Sequence, residues 1–278
     1  MTLARLDEVL GFATTAGRGV GAFNVIQIEH AEALVAAAEQ TDLPVVLQIS
    51  ENAVRYHGAL APIALATRTI AERSSSPCVL HLDHAVSEEL VDEALALGFT
   101  SVMFDGSRLG DEENRAATRA VVKRCHAEGV SVEAELGEIG GKDGVHAPGV
   151  RTDPQEAAQF VADCGVDALA VAVGSSHAMT SRTAELDMDL IAQIHLRVVV
   201  PLVLHGASGV SDADLVAAVR AGMTKVNIAT HLNSAFTAAV REHLGEHPDV
   251  VDTRKYVGAA RDAVAAEAAR LLELLALR

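Results

Sequence analysis

Eight short apolar runs, each followed by a stretch with helical patterning, recur along this chain of 278 residues. The runs are GVGAFNV (19–25), PVVLQIS (44–50), CVLHLDH (78–84), SVMFDGS (101–107), SVEAELG (131–137), ALAVAVG (168–174), PLVLHGA (201–207) and KVNIAT (225–230). Between them, segments such as IEHAEALVAAAEQT and SDADLVAAVRAG repeat apolar residues at i, i+3, i+4 and i+7 with charges opposite, the mark of an amphipathic helix. Gly98, Gly129, Gly165 and Gly222 follow four of these segments as stop signals. Strict alternation of this kind implies parallel strands joined by right-handed crossovers. Eight units predict a closed (β/α)8, or TIM, barrel in the α/β class. An open doubly wound sheet usually carries a GxGxxG turn after its first strand, and none follows GVGAFNV. The expectation is one barrel domain over residues 1–278. A Gly- and Pro-rich active-site loop at about 137–156 and an amphipathic C-terminal helix complete it.

Composition narrows the function. Formal net charge is −16, so nucleic acid and anionic membrane surfaces are excluded as partners, for want of a basic stripe. An anionic small substrate stays open if backbone N–H groups or a metal supply local positive charge. Cys78, Cys125 and Cys164 are widely spaced and odd in number, which fits free thiols in a reducing compartment. The N-terminus lacks a signal-peptide core, and no uncharged run reaches the ~18 residues of a membrane span. These features lead to an expectation of a cytoplasmic protein.

Every run ends in polar residues, at the face where such barrels hold their active sites. Asn24 closes the first, Gln48 and Ser50 the second, and Asp83 with His84 the third. Asp105 follows the fourth, Glu133 and Glu135 lie in the fifth, and His177 comes shortly after the sixth. His205 to Gly209 end the seventh, and Asn227 to Thr230 the eighth. One histidine at a strand end is usually a hydrogen-bonded core residue. Three of them (His84, His177 and His205) on one rim match a catalytic zinc arrangement with an open position. Asp105 and Glu135 are then partners that steer a ligand, or alternative ligands. Gly206, Ala207 and Ser208, with Asn227, Ile228, Ala229 and Thr230, lie in the loops that commonly bind phosphate in this barrel. The pattern SDAD at 211–214 is a helix-start signal.

The pieces LHLDHA, VEAELGEIGG, VGSSHA, LHGASGV and KVNIAT together resemble the class II, metal-dependent ketose-bisphosphate aldolases. The likeness runs from GAFNV to DTRKYVGAARDAV. It implies Zn²⁺ on His84, His177 and His205, acting as a Lewis acid on dihydroxyacetone phosphate and its enediolate. A monovalent cation, Na⁺ or K⁺, is a further candidate cofactor. Asp83 would exchange the proton with the C4 hydroxyl, and Asn24 and Ser50 would help to bind substrate. Asp83 and His84 are adjacent because both must reach the same substrate oxygens. Strict strand alternation would send them to opposite faces, so the strand is expected to end there. Asp143, with Glu138 as runner-up, would move the carbon-bound proton. Arg254 of a neighbouring subunit, or else Arg55, would meet the distal phosphate. Where the family often has Gly after the SH histidine, this chain has Ala178, which tightens any backbone contact to phosphate. A homodimer or homotetramer is implied.

The leading activity is reversible cleavage of fructose 1,6-bisphosphate to dihydroxyacetone phosphate and glyceraldehyde 3-phosphate. Related substrates are tagatose bisphosphate or a phosphorylated deoxy-keto sugar acid. A metal-dependent hydrolase on the same barrel has less need of a phosphate cradle. A Schiff-base aldolase needs a lysine at a suitable strand end, and Lys225 stands at the start of its run.

Overall fold

The computed structural model describes residues 3–136 and 151–278. The strands are β1 (Val20–Asn24), β2 (Val45–Ser50), β3 (Cys78–Ala85), β4 (Ser101–Phe104), β5 (Ser131–Leu136), β6 (Ala168–Val171), β7 (Leu202–Leu204) and β8 (Met223–Ile228). All neighbours are parallel, and β8 pairs with β1 through Val20–Lys225 and Ala22–Asn227 to close the barrel. The helices are α1 (Leu6–Thr15), α2 (Ile28–Thr41), α3 (Glu51–His57), α4 (Ala61–Ala71), α5 (Glu88–Ala96), α6 (Asp111–Ala127), α7 (Pro154–Cys164), α8 (Met188–His195), α9 (Asp212–Ala221), α10 (Thr230–Glu246) and α11 (Thr253–Leu275). The (β/α)8 expectation therefore holds.

Two apolar clusters follow from the two faces of each strand. Leu47, Leu80, Val132, Leu169 and Val226 point outward and pack with the helices. Val20, Ala22, Val46, Val79, Met103, Ala168, Ala170 and Val203 form the inner cluster, joined by Leu6 and Leu10 of α1. Higher along the same inward rows the residues turn polar: Gln48, His81, Asp83, Glu133, Glu135, His205, Lys225 and Asn227 are all buried. One end of the barrel interior is thus greasy and the other ionisable.

Four sequence-based boundaries change. β3 does not end at His84 but runs to Ala85. Its pairing with β4 slips between Leu82 and Ala85, which face Val102 and Phe104, so β3 spends one residue more than its neighbour. His84 takes φ +54° at this bulge, a left-handed conformation that L-residues rarely adopt. The bulge, not a strand end, breaks alternation and turns Asp83 and His84 toward the same mouth. Second, β8 starts at Met223, which puts Lys225 inside the strand and fully buried. Third, residues 137–150 of the expected loop lie outside the described residues, and the chain is already helical from Pro154. There Asp153 caps α7 by accepting from the Gln155 and Glu156 N–H groups. Fourth, the C-terminal helix begins at Thr253, capped by Asp252. Its buried Val264, Ala268, Leu271 and Leu275 join the outer core. Among the described residues, no helix is long and apolar enough to cross a membrane.

Candidate active site

A cavity of about 560 Å³ opens where the strands turn polar, a size that suits a small-molecule ligand. Asp83, His84, Asp105, His177 and His205 line it, together with Asn24, Ser50, Gly206, Ser208, Asn227, Ala229 and Thr230.

The three imidazoles meet. Their ring centroids are 5.1 Å apart for His84 and His177, 4.6 Å for His84 and His205, and 5.6 Å for His177 and His205. Each pair is close to perpendicular, at 75°, 79° and 81°, so the ring edges converge. One nitrogen from each ring lies within 4.8 Å of the others. Nδ1 of His205 is 2.9 Å from Nε2 of His84. Zinc–imidazole bonds of about 2.0–2.1 Å fit inside such a cluster. Behind the rings stand carboxylates: Asp105 Oδ2 is 3.0 Å from His84 Nδ1, and Glu133 Oε1 is 2.8 Å from His205 Nε2. Carboxylates in this place hold a ring's hydrogen on the far nitrogen and leave the near one bare for a cation. Burial, with His84 beside it, depresses the His205 pKa well below the ordinary value, which keeps its imidazole neutral. The donor set therefore fits a divalent metal. Asp105 and Glu135 form a second possible group with His84; Glu135 is fully buried.

Asp83 sits beside this cluster, opposite Ser50 in the β2–β3 ladder. Its Oδ2 accepts from Asn24 Nδ2 at 3.4 Å, and Asn24 Oδ1 in turn accepts from Gln48 Nε2 at 3.2 Å. Its Oδ1 is buried with no hydrogen-bond partner among the described residues. Burial would raise this carboxyl, but positive charge at His84 and at the Lys225 ammonium outweighs it and holds it below the usual carboxylate range.

The loops after β7 and β8 are tied together by one hydroxyl. Ser208, in a 3₁₀ turn at Ala207–Gly209, accepts from the N–H groups of Ala229 and His231, each at 3.2 Å. Gly206 has φ +67°, and a Cβ there would stand 2.6 Å from the Ser176 carbonyl. Only glycine passes so close to the loop that carries His177. Ala178, next to that histidine, lines the cavity with φ +59°. The side chains of Ala207 and Ile228 are packed in the outer core rather than in the cavity, so only their backbone can serve a ligand. Asn227 turns downward, with Oδ1 3.0 Å from Lys225 Nζ and Nδ2 3.0 Å from His205 Nε2. Asp143 and Glu138 lie outside the described residues. Arg254 does not line this cavity; it is exposed and paired with Asp252 at 2.8 Å.

The sequence reading passed over part of the rim. Glu51, Asn52, Arg55 and Tyr56 of α3 line the cavity, as do Val86 and Arg108; of these only Arg55 was a candidate. Ser50 is both the last residue of β2 and the cap of α3, accepting from Ala53 N–H at 3.2 Å. A helix that starts with no intervening loop must sit on the mouth. Arg108 follows directly on the polar end of the fourth run, which was the signal for it.

The family model for class-II fructose-bisphosphate aldolase matches residues 4–277. A probable fructose-bisphosphate aldolase of Bacillus subtilis is 40% identical over 268 residues, covering 95% of this chain and 94% of its own. The fructose-bisphosphate aldolase of Geobacillus stearothermophilus is 40% identical over 270 residues, covering 96% and 94%. Among solved structures, the YdjI aldolase from Escherichia coli K12 superposes with a TM-score of 0.85 at 32% identity, covering 99% of this chain and 97% of that one. Barrel, imidazole cluster and relatives agree, and the chain belongs to the class-II fructose-bisphosphate aldolase family.

Proposed function

We propose that this chain reversibly cleaves fructose 1,6-bisphosphate to dihydroxyacetone phosphate and glyceraldehyde 3-phosphate, with a divalent ion, Zn²⁺, on His84, His177 and His205. The observation that carries the reading is the meeting of three imidazoles, one from β3 and two from the segments that follow β6 and β7, beside a buried carboxylate in one cavity. The family is generally zinc-dependent. When bound, the ion would supply Lewis-acid polarisation of the substrate's carbonyl oxygen.

The protein's own groups account for the rest. Asn24 steadies one oxygen of Asp83, leaving the other to exchange a proton with the C4 hydroxyl. Asp105 and Glu133 orient His84 and His205. A phosphate of the substrate lies against Gly206, Ala207 and Ser208 and the start of α10, where backbone N–H groups of Asn227, Ile228 and Thr230 and the helix dipole favour an anion. The Ala229 N–H is already engaged by Ser208. Ser50 and Arg55 serve the rim of the cavity, and Arg254 of a second copy meets the distal phosphate in a homodimer or homotetramer. Asp143 or Glu138 moves the carbon-bound proton. A monovalent cation, Na⁺ or K⁺, completes the cofactor set, and the setting is the cytoplasm.

The test is direct. Purified protein is incubated with fructose 1,6-bisphosphate and triose phosphates are followed. The reading requires cleavage that EDTA abolishes and Zn²⁺ restores. Cleavage insensitive to EDTA but lost on borohydride trapping would replace it with Schiff-base chemistry, and tagatose bisphosphate cleaved faster than the fructose substrate would change the sugar.

A further inference from the structure

Directly below the imidazole cluster lies a knot of buried charge whose size exceeds what holding one histidine requires. Glu133 and Lys225 are both fully buried. Lys225 Nζ stands 2.8 Å from Glu133 Oε2, and the other carboxylate oxygen, Oε1, stands 2.8 Å from His205 Nε2. His81, on the next inward row, is 3.8 Å from the same Oε2 and is held through Nδ1 by the Ser101 hydroxyl at 2.8 Å. A buried ion pair is often no more stabilising than apolar side chains of similar volume. Its placement here is explained by the third partner, His205.

We infer that Glu133 and Lys225 act together as positioning residues that fix the tautomer of His205, keeping its hydrogen on Nε2 and its lone pair on Nδ1. The inference rests on the reading of His205 as a metal ligand. A carboxylate held by an ammonium group offers only acceptors, so the hydrogen between Glu133 and His205 belongs to Nε2. Asn227 competes for the same nitrogen. Lys225 donates to Asn227 Oδ1 at 3.0 Å, which turns the amide's Nδ2 toward His205 Nε2, also at 3.0 Å. If Nε2 accepted from that amide, its lone pair would face the Glu133 carboxylate at 2.8 Å, two acceptors in contact in a dry interior. The hydrogen therefore goes to Glu133, and the amide flanks the ring. Lys225 has two tasks in this scheme: it occupies the oxygen of Glu133 that His205 does not use, and it orients Asn227. Nδ1 is then left facing Nε2 of His84 at 2.9 Å, while Asp105 holds the other side of His84. The two bare nitrogens converge on one point, which a cation would occupy.

The double variant Glu133→Gln/Lys225→Met removes both charges at nearly constant volume. Its metal-free form is titrated with Zn²⁺ against a chromophoric chelator beside the wild type, with folding checked by circular dichroism and thermal melting. The inference requires a folded double variant that binds Zn²⁺ about 10- to 100-fold more weakly, with kcat reduced and KM for the sugar little changed. It also requires the metal-free wild type to show His205 as the Nε2–H tautomer in ¹⁵N-histidine NMR. Equal Zn²⁺ affinity in the two proteins, or an Nδ1–H tautomer in the wild type, would overturn it. The NMR measurement needs no variant, so it decides the matter even if the double variant misfolds. A wild type that binds no Zn²⁺ at all would instead remove the metal reading itself.

Discussion

Nδ1 of His205 and Nε2 of His84 lie 2.9 Å apart although 121 residues separate them in the chain. With both nitrogens bare the two neutral imidazoles would gain little from this contact, and the proposed Zn²⁺ would make it favourable. Replacing His205 by alanine should therefore abolish stoichiometric Zn²⁺ binding and lower kcat/KM by about a thousandfold or more, the scale of several kcal/mol of lost charge stabilisation. Metal analysis of the purified variant, paired with the cleavage assay, checks both halves.

Asp83 gives a different signature. Asp83→Asn keeps the shape and the neighbour Asn24 but removes the carboxylate proposed to exchange a proton. The expected loss is about 10²- to 10⁴-fold in kcat, with Zn²⁺ content unchanged. A variant that loses its metal as well would show that Asp83 is a ligand rather than an acid–base group.

Gly206 is constrained twice, by its φ of +67° and by the Ser176 backbone 2.6 Å from where a Cβ would stand. Gly206→Ala should cost about 1–3 kcal/mol of stability and displace the His177 loop. Thermal melting with and without Zn²⁺ would show a lower Tm and a smaller stabilisation by the metal.

The three thiols are buried. Burial pushes Cys125 up to about 12 and also raises Cys78 and Cys164. At pH 8 the thiolate of Cys125 is present at only about one part in 10⁴. Folded protein should resist iodoacetamide at that pH for hours, and all three cysteines should react once guanidinium unfolds the chain. Mass spectrometry counts the adducts.

Glu267 of α11 supplies a pH test. Burial raises its carboxyl, but hydrogen bonds and charge from Arg270 and His231 overcome this and leave it below its ordinary 4.5. A depressed folded pKa gives stability that is present above the unfolded value and lost as pH falls through the folded one. Metal-free Glu267→Gln should thus be less stable than wild type at pH 7, by about 1 kcal/mol for this partly exposed network. The gap should close as pH drops below about 4.5. Melting curves across that range settle the sign.

The barrel was legible because each buried parallel strand is a compact apolar run, and the site because its histidines sit where those runs turn polar. Pairing between distant runs was not legible. Nothing near Lys225 in the chain announces Glu133, 92 positions earlier; the contact exists because both side chains face inward at similar heights on strands that are not neighbours. The bulge at His84 was equally hidden, since a one-residue slip leaves no mark in composition; the need for Asp83 and His84 to share a face was readable, and the device that achieves it was not. Ala207 and Ile228 were read as site residues, but Ala207 in its 3₁₀ turn and Ile228 by the strand period send their side chains to the helix side. Asp143 and Arg254 were drawn from family likeness rather than from any pattern, and the cavity of one chain does not bring Arg254 in.

The pairing of β8 with β1 has a consequence for how such a protein is made. A ring offers no useful fragment: His84, His177 and His205 emerge from the ribosome far apart in time, and the enclosure that holds them is sealed only when Val20 meets Lys225. A nascent chain halted before its final strand would own all three imidazoles and still lack the wall that faces them inward, so the proposed ion would be captured only once β8 is in place.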